Sequence, residues 1–227
     1  MSERPTDTRD FEERLTGLFV PDVYRFALPL LASGGVAFGL SWTIPGVVLS
    51  GLGLFVVAFF RNPGRPLPPG ERDVVAPADG RVLCVDEIER EDGEKAIRIG
   101  IFLSVFDVHV NRSPITGRVT AIERTGDRFL AAFNPAAETR NVRLSLALET
   151  AVGRVDVVQI TGLIARRIVC QARVGERLAR GVRYGLIRFG SRTDVVLPLG
   201  AHALVAKGDT VRGGATVIAH FPEATDD

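Results

Sequence analysis

The chain has 227 residues, 46% of them apolar, and 28 basic against 27 acidic side chains leave a net charge of +1. That length buries a sizeable core, and the balanced charge excludes the broad basic footprint of a nucleic-acid-binding protein. Lysine occurs only as Lys95 and Lys207, so lysine-based Schiff-base chemistry has little to work with, and Cys84 and Cys170 sit in apolar runs away from any histidine, which favours buried thiols over a disulfide or a metal site.

Residues 1–25 form an N-terminal segment with several acidic side chains. From Phe26 to Phe60, thirty-five residues pass without a charge, while Arg25, Arg61 and Arg65 stand just outside. One membrane span takes about 20 residues, so the stretch exceeds one span and falls short of two comfortable ones. "SWTIPG" supplies a turn signal near its middle. The pattern predicts a hydrophobic helical hairpin over 26–60 that anchors the chain in a membrane, either across the bilayer or within one leaflet. On that reading the rest of the chain lies on the cytoplasmic face of the cell membrane. A signal peptide fits worse, because no small-residue cleavage site stands out. Residues 61–73, with "RNPGRPLPPGERD", carry too much proline and glycine to continue a helix and predict a stiff linker.

From 74 to 227 the texture is β. Short runs such as "RVLCVDEIE", "KAIRIGIFL", "NVRLSLALET" and "GRVDVVQITG" alternate or stay apolar between Gly, Asp, Asn and Pro. They predict a mostly β, largely antiparallel domain of sandwich or barrel type. "VVAPADGRV" and "VAKGDTVRGGATVIA" resemble the half-motifs of lipoyl-like and phosphotransferase-carrier-like barrels, which implies a barrel-sandwich in which early and late strands meet. The same likeness raises a prosthetic-group carrier as a rival function, but Lys207 stands at a strand-to-turn junction rather than at a hairpin tip.

Three histidines are available for acid–base work. His202 begins a strand and His220 has bland surroundings near the chain end. His109 lies in "FDVHVNRSP", where alternation sets Asp107, His109 and Asn111 on one face. Such a polar cluster needs partners, solvent or a cleft, and a cleft makes His109 the best proton-transfer candidate. In "RFGSRTDVVLP" a flexible pair, Gly190 and Ser191, interrupts a strand-like run, which by itself reads as a bulge or a close backbone approach.

Five blocks in order, "FFRNPGRPLP", "VVAPADGRV", "GIFLSVFDVHVNRSPITGRV", "VDVVQITGLIARRIVC" and "RFGSRTDVVLP", resemble the short bacterial and archaeal form of phosphatidylserine decarboxylase, from roughly Arg61 to Phe221. The resemblance implies a proenzyme that cuts itself between Gly190 and Ser191. Ser191 Oγ attacks the preceding carbonyl, the ester eliminates, and hydrolysis leaves a pyruvoyl cofactor on a 37-residue chain, 191–227. That ketone forms a Schiff base with phosphatidylserine, accepts the electrons left by carbon dioxide and yields phosphatidylethanolamine. The partners so implied are the lipid substrate, the bilayer, a heterodimer of the two cleavage fragments and a homo-oligomer, without nucleic acid or metal.

Among supporting residues, the family's aspartate matches Asp79. Its H-x-x-H block has Arg112 at the second histidine's place, and arginine is no base near neutral pH. His109 is therefore assigned the acid–base role, with Arg112, Asn111 and Arg192 towards the substrate and Arg166 and Arg167 as further anion candidates. The alternatives are a pyruvoyl decarboxylase of another aminophospholipid or amino acid, and a non-processing carrier or binding module.

Overall fold

The computed structural model describes residues 19, 22–90, 92–134, 136–163, 167–187 and 190–222. They fall into two compact units that divide between Gly64 and Arg65. In the first, helices α1 (Asp22–Gly39) and α2 (Thr43–Phe59) run antiparallel. Glycines set their approach: a Cβ on Gly34 would collide with Ser50 Oγ, one on Gly46 would stand 2.8 Å from the Phe38 ring, and one on Gly53 2.7 Å from Leu31. The large apolar side chains Leu28, Val36, Ile44, Val47 and Leu54 point outward, each more than half exposed. The chain turns at residues 40–42, with Ser41 at φ +61°. The turn overlaps the start of the expected "SWTIPG" signal. Pro45 sits inside the first turn of α2, where a missing N–H forfeits no helical bond. Among the described residues no helix is long and apolar enough to cross a membrane.

The second unit is mostly β. Its strands run β1 (Asp73–Val75), β2 (Gly80–Glu89), β3 (Lys95–Leu103), β4 (Val110–Arg112) and β5 (Gly117–Thr125), then the single helical turn α3 (Ala137–Arg140). There follow β6 (Arg143–Thr150), β7 (Gly153–Ile160), β8 (Ile168–Cys170), β9 (Arg177–Leu178) and β10 (Arg183–Ile187). The last are β11 (Ser191–Pro198), β12 (His202–Ala203), β13 (Thr210–Val211) and β14 (Val217–His220). Eight of them form one curled antiparallel sheet, β13-β2-β3-β11-β7-β6-β5-β9, beside the three-stranded sheets β1-β14-β12 and β4-β10-β8. Register shifts between Val82 and Cys84 and between Val119 and Ala121 bend the long strands and help the sheet to curl. Early and late strands do meet: Asp73 pairs with His220, and Gly80 with Val211.

The core lies on the inner face of this sheet, where Ile99, Ile101, Leu146, Leu148, Val155, Val157, Val195 and Leu197 cluster. Each such side chain contributes about 1.5–3 kcal/mol on burial. β11 is the central strand, paired along its length with β3 and over five residues with β7. It is buried from Ser191 to Leu197. Alternation sends Ser191, Thr193, Val195 and Leu197 inward, and Arg192, Asp194 and Val196 to the outer face.

Candidate active site

The site begins where β11 begins. Gly190, just before it, holds φ +63°, and a Cβ there would meet nothing within 4 Å. The conformation, rather than crowding, is what calls for glycine. Its carbonyl oxygen packs directly on the backbone of Gly162, in the loop after β7, where any side chain would strike it. The Gly190 N–H donates to His109 Nε2 at 3.3 Å, and His109 Nδ1 lies 2.9 Å from the Asp107 carbonyl oxygen. A carbonyl only accepts, so Nδ1 carries the proton and the Nε2 lone pair is turned to Gly190. The buried imidazole is thus held in one tautomer, facing the Gly190–Ser191 junction.

This arrangement differs from plain strand alternation. β4 starts only at Val110, and Asp107 closes a turn by accepting the Ser104 N–H on Oδ2 at 2.7 Å. What Asp107 offers His109 is its backbone carbonyl.

Ser191 is fully buried, and its Oγ has no hydrogen-bond partner. Its inward neighbours form a polar layer at the end of the apolar core. Gln159 Nε2 donates to Asn111 Oδ1 at 2.8 Å, and Asn111 Nδ2 donates to Thr193 Oγ1 at 3.0 Å. All three residues are inaccessible to solvent, and Gln159 Oε1 is left without a partner. An unfilled buried polar atom costs about 1–3 kcal/mol, so two in one layer, Ser191 Oγ and Gln159 Oε1, mark a place built for something other than folding.

On the outer face the chain of charge is continuous. Arg192 grips Asp194 with two bonds, Nε–Oδ1 at 2.6 Å and Nη2–Oδ2 at 2.8 Å, and reaches Glu138 Oε2 at 3.5 Å. Glu138 also meets Arg98, which holds Asp86 by Nη2 at 2.6 Å and Nε at 3.0 Å. Burial works against the Arg192 charge, but Asp194 more than offsets it and holds the guanidinium above its ordinary value. Arg192 is therefore committed to acids on the face opposite Ser191.

Asp79 and Arg112 form a third group. Both Asp79 oxygens bond Arg65, Oδ2 at 2.6 Å from Nη2, and Oδ1 also accepts the Gly213 N–H at 2.8 Å. The carboxylate thus ties the turn after β1 to the turn after β13. Arg112 donates to the Gly181 carbonyl at 3.4 Å. Burial, with Arg183 and Arg65 close by, pushes it down to about 10 despite the pull of Asp79. Gly190, Ser191, His109 and Asn111 are thus brought to one place, Asp79 and Arg112 to a second, and Arg192 to the outer face. Arg167 is exposed, and Arg166 lies outside the described residues.

The family model described as phosphatidylserine decarboxylase matches residues 52–219. The chain belongs to the phosphatidylserine decarboxylase family. Proteins named phosphatidylserine decarboxylase proenzyme are similar to it over most of their length. The one from Symbiobacterium thermophilum is 50% identical over 201 residues, covering 87% of this chain and 93% of that protein. The one from Aromatoleum aromaticum is 44% identical over 198 residues, 86% and 90% of the two chains. A relative from Pelobacter propionicus is 52% identical over 169 residues, 74% and 77%. The family resemblance read from the five sequence blocks is borne out, and the relatives carry the names of decarboxylases made as precursors.

Two residues of this decarboxylase-family site escaped the sequence reading. Gly162 and Gln159 both stand in "VVQITG", read only as part of a strand run and of a family block. A glutamine ending an apolar strand and a glycine just after it were the available signals, but their meaning needs the register that sets Gln159 opposite Thr193.

Proposed function

We propose that the chain decarboxylates phosphatidylserine to phosphatidylethanolamine on a pyruvoyl group that it makes from Ser191 by cutting itself after Gly190. One observation carries this reading: a buried, unpartnered Ser191 Oγ follows a left-handed glycine whose N–H meets His109 Nε2. The residues present fit such a group, because Oγ has no structural bond to give up and the glycine carries no side chain to obstruct attack. Ser191 Oγ attacks the Gly190 carbonyl, and His109 Nε2 takes the hydroxyl proton and passes it to the Ser191 nitrogen as the C–N bond breaks; the resulting ester eliminates the Gly190 carboxylate, and water replaces the nitrogen as ammonia to leave the ketone. Glycine at 162 keeps that carbonyl in place by close backbone contact. A ketone at residue 191, once made, supplies the electron-poor carbon that takes up the electron pair left by carbon dioxide.

The surrounding residues then divide the work. His109 returns a proton to the substrate carbon. Asn111 forms the polar wall of the substrate space, and Arg112, crowded by like charges, is relieved by a substrate anion. Asp79 holds the Arg65–Gly213 corner on which Arg112 rests, and Arg192 anchors the strand that bears the ketone. The unit from 74 to 227 belongs to the barrel-sandwich class, since its first and last strands pair. Residues 26–60 anchor the enzyme in one leaflet of the cell membrane through their outward apolar faces, with the β unit on the cytoplasmic side. The two fragments remain together as a heterodimer.

The test is mass spectrometry of the purified protein together with carbon dioxide release. A C-terminal fragment of about 4 kDa (37 of 227 residues at 24.5 kDa) with a ketone-bearing terminus, and release from phosphatidylserine in preference to free serine, are expected. An active preparation that is intact at residue 191 overturns the reading.

A further inference from the structure

We propose that Gln159 is the group that receives the substrate's amine as the lipid headgroup approaches residue 191; this deepens the decarboxylase reading and rests on it. Gln159 sits near the end of β7, with Thr193 as its cross-strand partner. Ser191 is the next inward residue of β11, so Gln159 is its diagonal neighbour, at about 7–8 Å between Cα atoms and within reach of a long side chain. Both side chains are fully buried on the same face.

The orientation of the amide is fixed from behind. Its Nε2 is spent on Asn111 Oδ1 at 2.8 Å, and Asn111 is spent in turn on Thr193 Oγ1 at 3.0 Å. What remains is Oε1, a buried acceptor with no partner. Tyr184 also has a buried hydroxyl without a partner, but that ring belongs to the apolar core cluster. Among the described residues of this polar layer, the unpartnered buried side-chain atoms are Gln159 Oε1 and Ser191 Oγ itself.

An amide oxygen discriminates between the two charged groups of a serine headgroup. It accepts N–H bonds from an ammonium or amine, and it repels a carboxylate, which has no proton to give. With the amine drawn to Gln159, it stands beside residue 191 and the carboxylate is turned away from β7. Gln159 binds and orients here and exchanges no proton. Asn111 acts through Gln159, holding its amide so that the oxygen cannot rotate out of the site.

The experiment uses full-length protein in detergent micelles, in the uncut Ser191→Ala background, so that binding is read apart from turnover. Three dihexanoyl lipids are titrated by calorimetry: one with a serine headgroup, one with ethanolamine, and one with 3-hydroxypropionate, which keeps the carboxylate and lacks the amine. Gln159→Leu is expected to weaken the serine and ethanolamine lipids tenfold or more, leaving the hydroxypropionate lipid within about twofold. Gln159→Glu, which keeps an acceptor, is expected to hold both amine lipids within about threefold of the parent background. Equal losses for all three lipids, losses confined to the two carboxylate-bearing lipids, or no loss overturns the proposal, as does Gln159→Glu behaving like Gln159→Leu. Carbon dioxide release by the unaltered chain is measured separately, and its absence sinks the decarboxylase reading whichever way Gln159 behaves.

Discussion

Gly190→Ala isolates one contribution to the proposed self-cutting step. A Cβ at this position meets nothing within 4 Å, so the substitution adds no steric contact. What it adds is the strain of holding an L-residue at φ +63°, about 1–2 kcal/mol in the left-handed region. If the attack proceeds from that conformation, cleavage slows by about 5- to 30-fold, at 1.36 kcal/mol for each factor of ten. Asparagine tolerates the region better than alanine, so Gly190→Asn falls between glycine and alanine. Gly162→Ala is the counterpart: it adds a methyl group onto the Gly190 carbonyl oxygen itself, and the predicted slowing is larger than for either change at 190. The assay is a denaturing-gel time course of the roughly 4 kDa fragment after synthesis. Alanine at 190 cutting at the parental rate, or alanine and asparagine slowing it equally, refutes the argument that backbone conformation activates the bond.

Three further outcomes follow from the charges. Asp79→Asn removes the carboxylate that the part-buried Arg65 holds near Arg112; losing a charge-assisted bond of this kind costs about 1–3 kcal/mol. A calorimetric melt should therefore fall by several degrees, whereas slowed cleavage with an unchanged melt places Asp79 in the chemistry itself. Arg112→Met removes a charge that the fold disfavours at pH 7, because the folded pKa of about 10 lies below the ordinary arginine value and the penalty fades only as pH rises past 10. The variant should melt no lower than the parent while its KM for phosphatidylserine rises. Asp86, held below its ordinary 3.8 by its bonds to Arg98, contributes stability above that pH and loses it as pH falls through the lower folded value. Asp86→Asn should therefore lower the urea midpoint slightly at pH 7, with the gap closing in acid.

Much of this was legible in the sequence. Alternating short runs marked the strands, and the likeness of "VVAPADGRV" and "VAKGDTVRGGATVIA" to carrier-barrel half-motifs implied that the ends of the domain meet. The Gly-Ser pair in "RFGSRTD" stood out as a break in a buried strand, and His109 as the histidine with polar company. Sequence could not place Arg192: adjacent to Ser191 in the chain, it looks like a neighbour of the substrate, yet strand alternation sends it through the sheet to Glu138 and Asp194. That acid–base chain draws on residues 86, 98, 138, 192 and 194, far apart in sequence, and only pairing register assembles it. Gln159 and Gly162 were hidden for the same reason. The turn in the apolar stretch falls at the start of "SWTIPG", and Pro45 opens the helix that follows because proline is as welcome at a helix start as in a loop.

The piece from 191 to 227 is threaded through much of the β unit: β11 lies between β3 and β7, β13 pairs with β2, and β14 is held between β1 and β12. A nick after 190 therefore severs a bond without freeing a part, since departure would unzip two of the three sheets at once. Separately synthesised halves should not find each other by mixing, because the short piece's strands are interleaved with those of the long one. Under the proposed self-cleavage, maturation is irreversible in practice, and a damaged terminus is replaced only by making a whole new molecule.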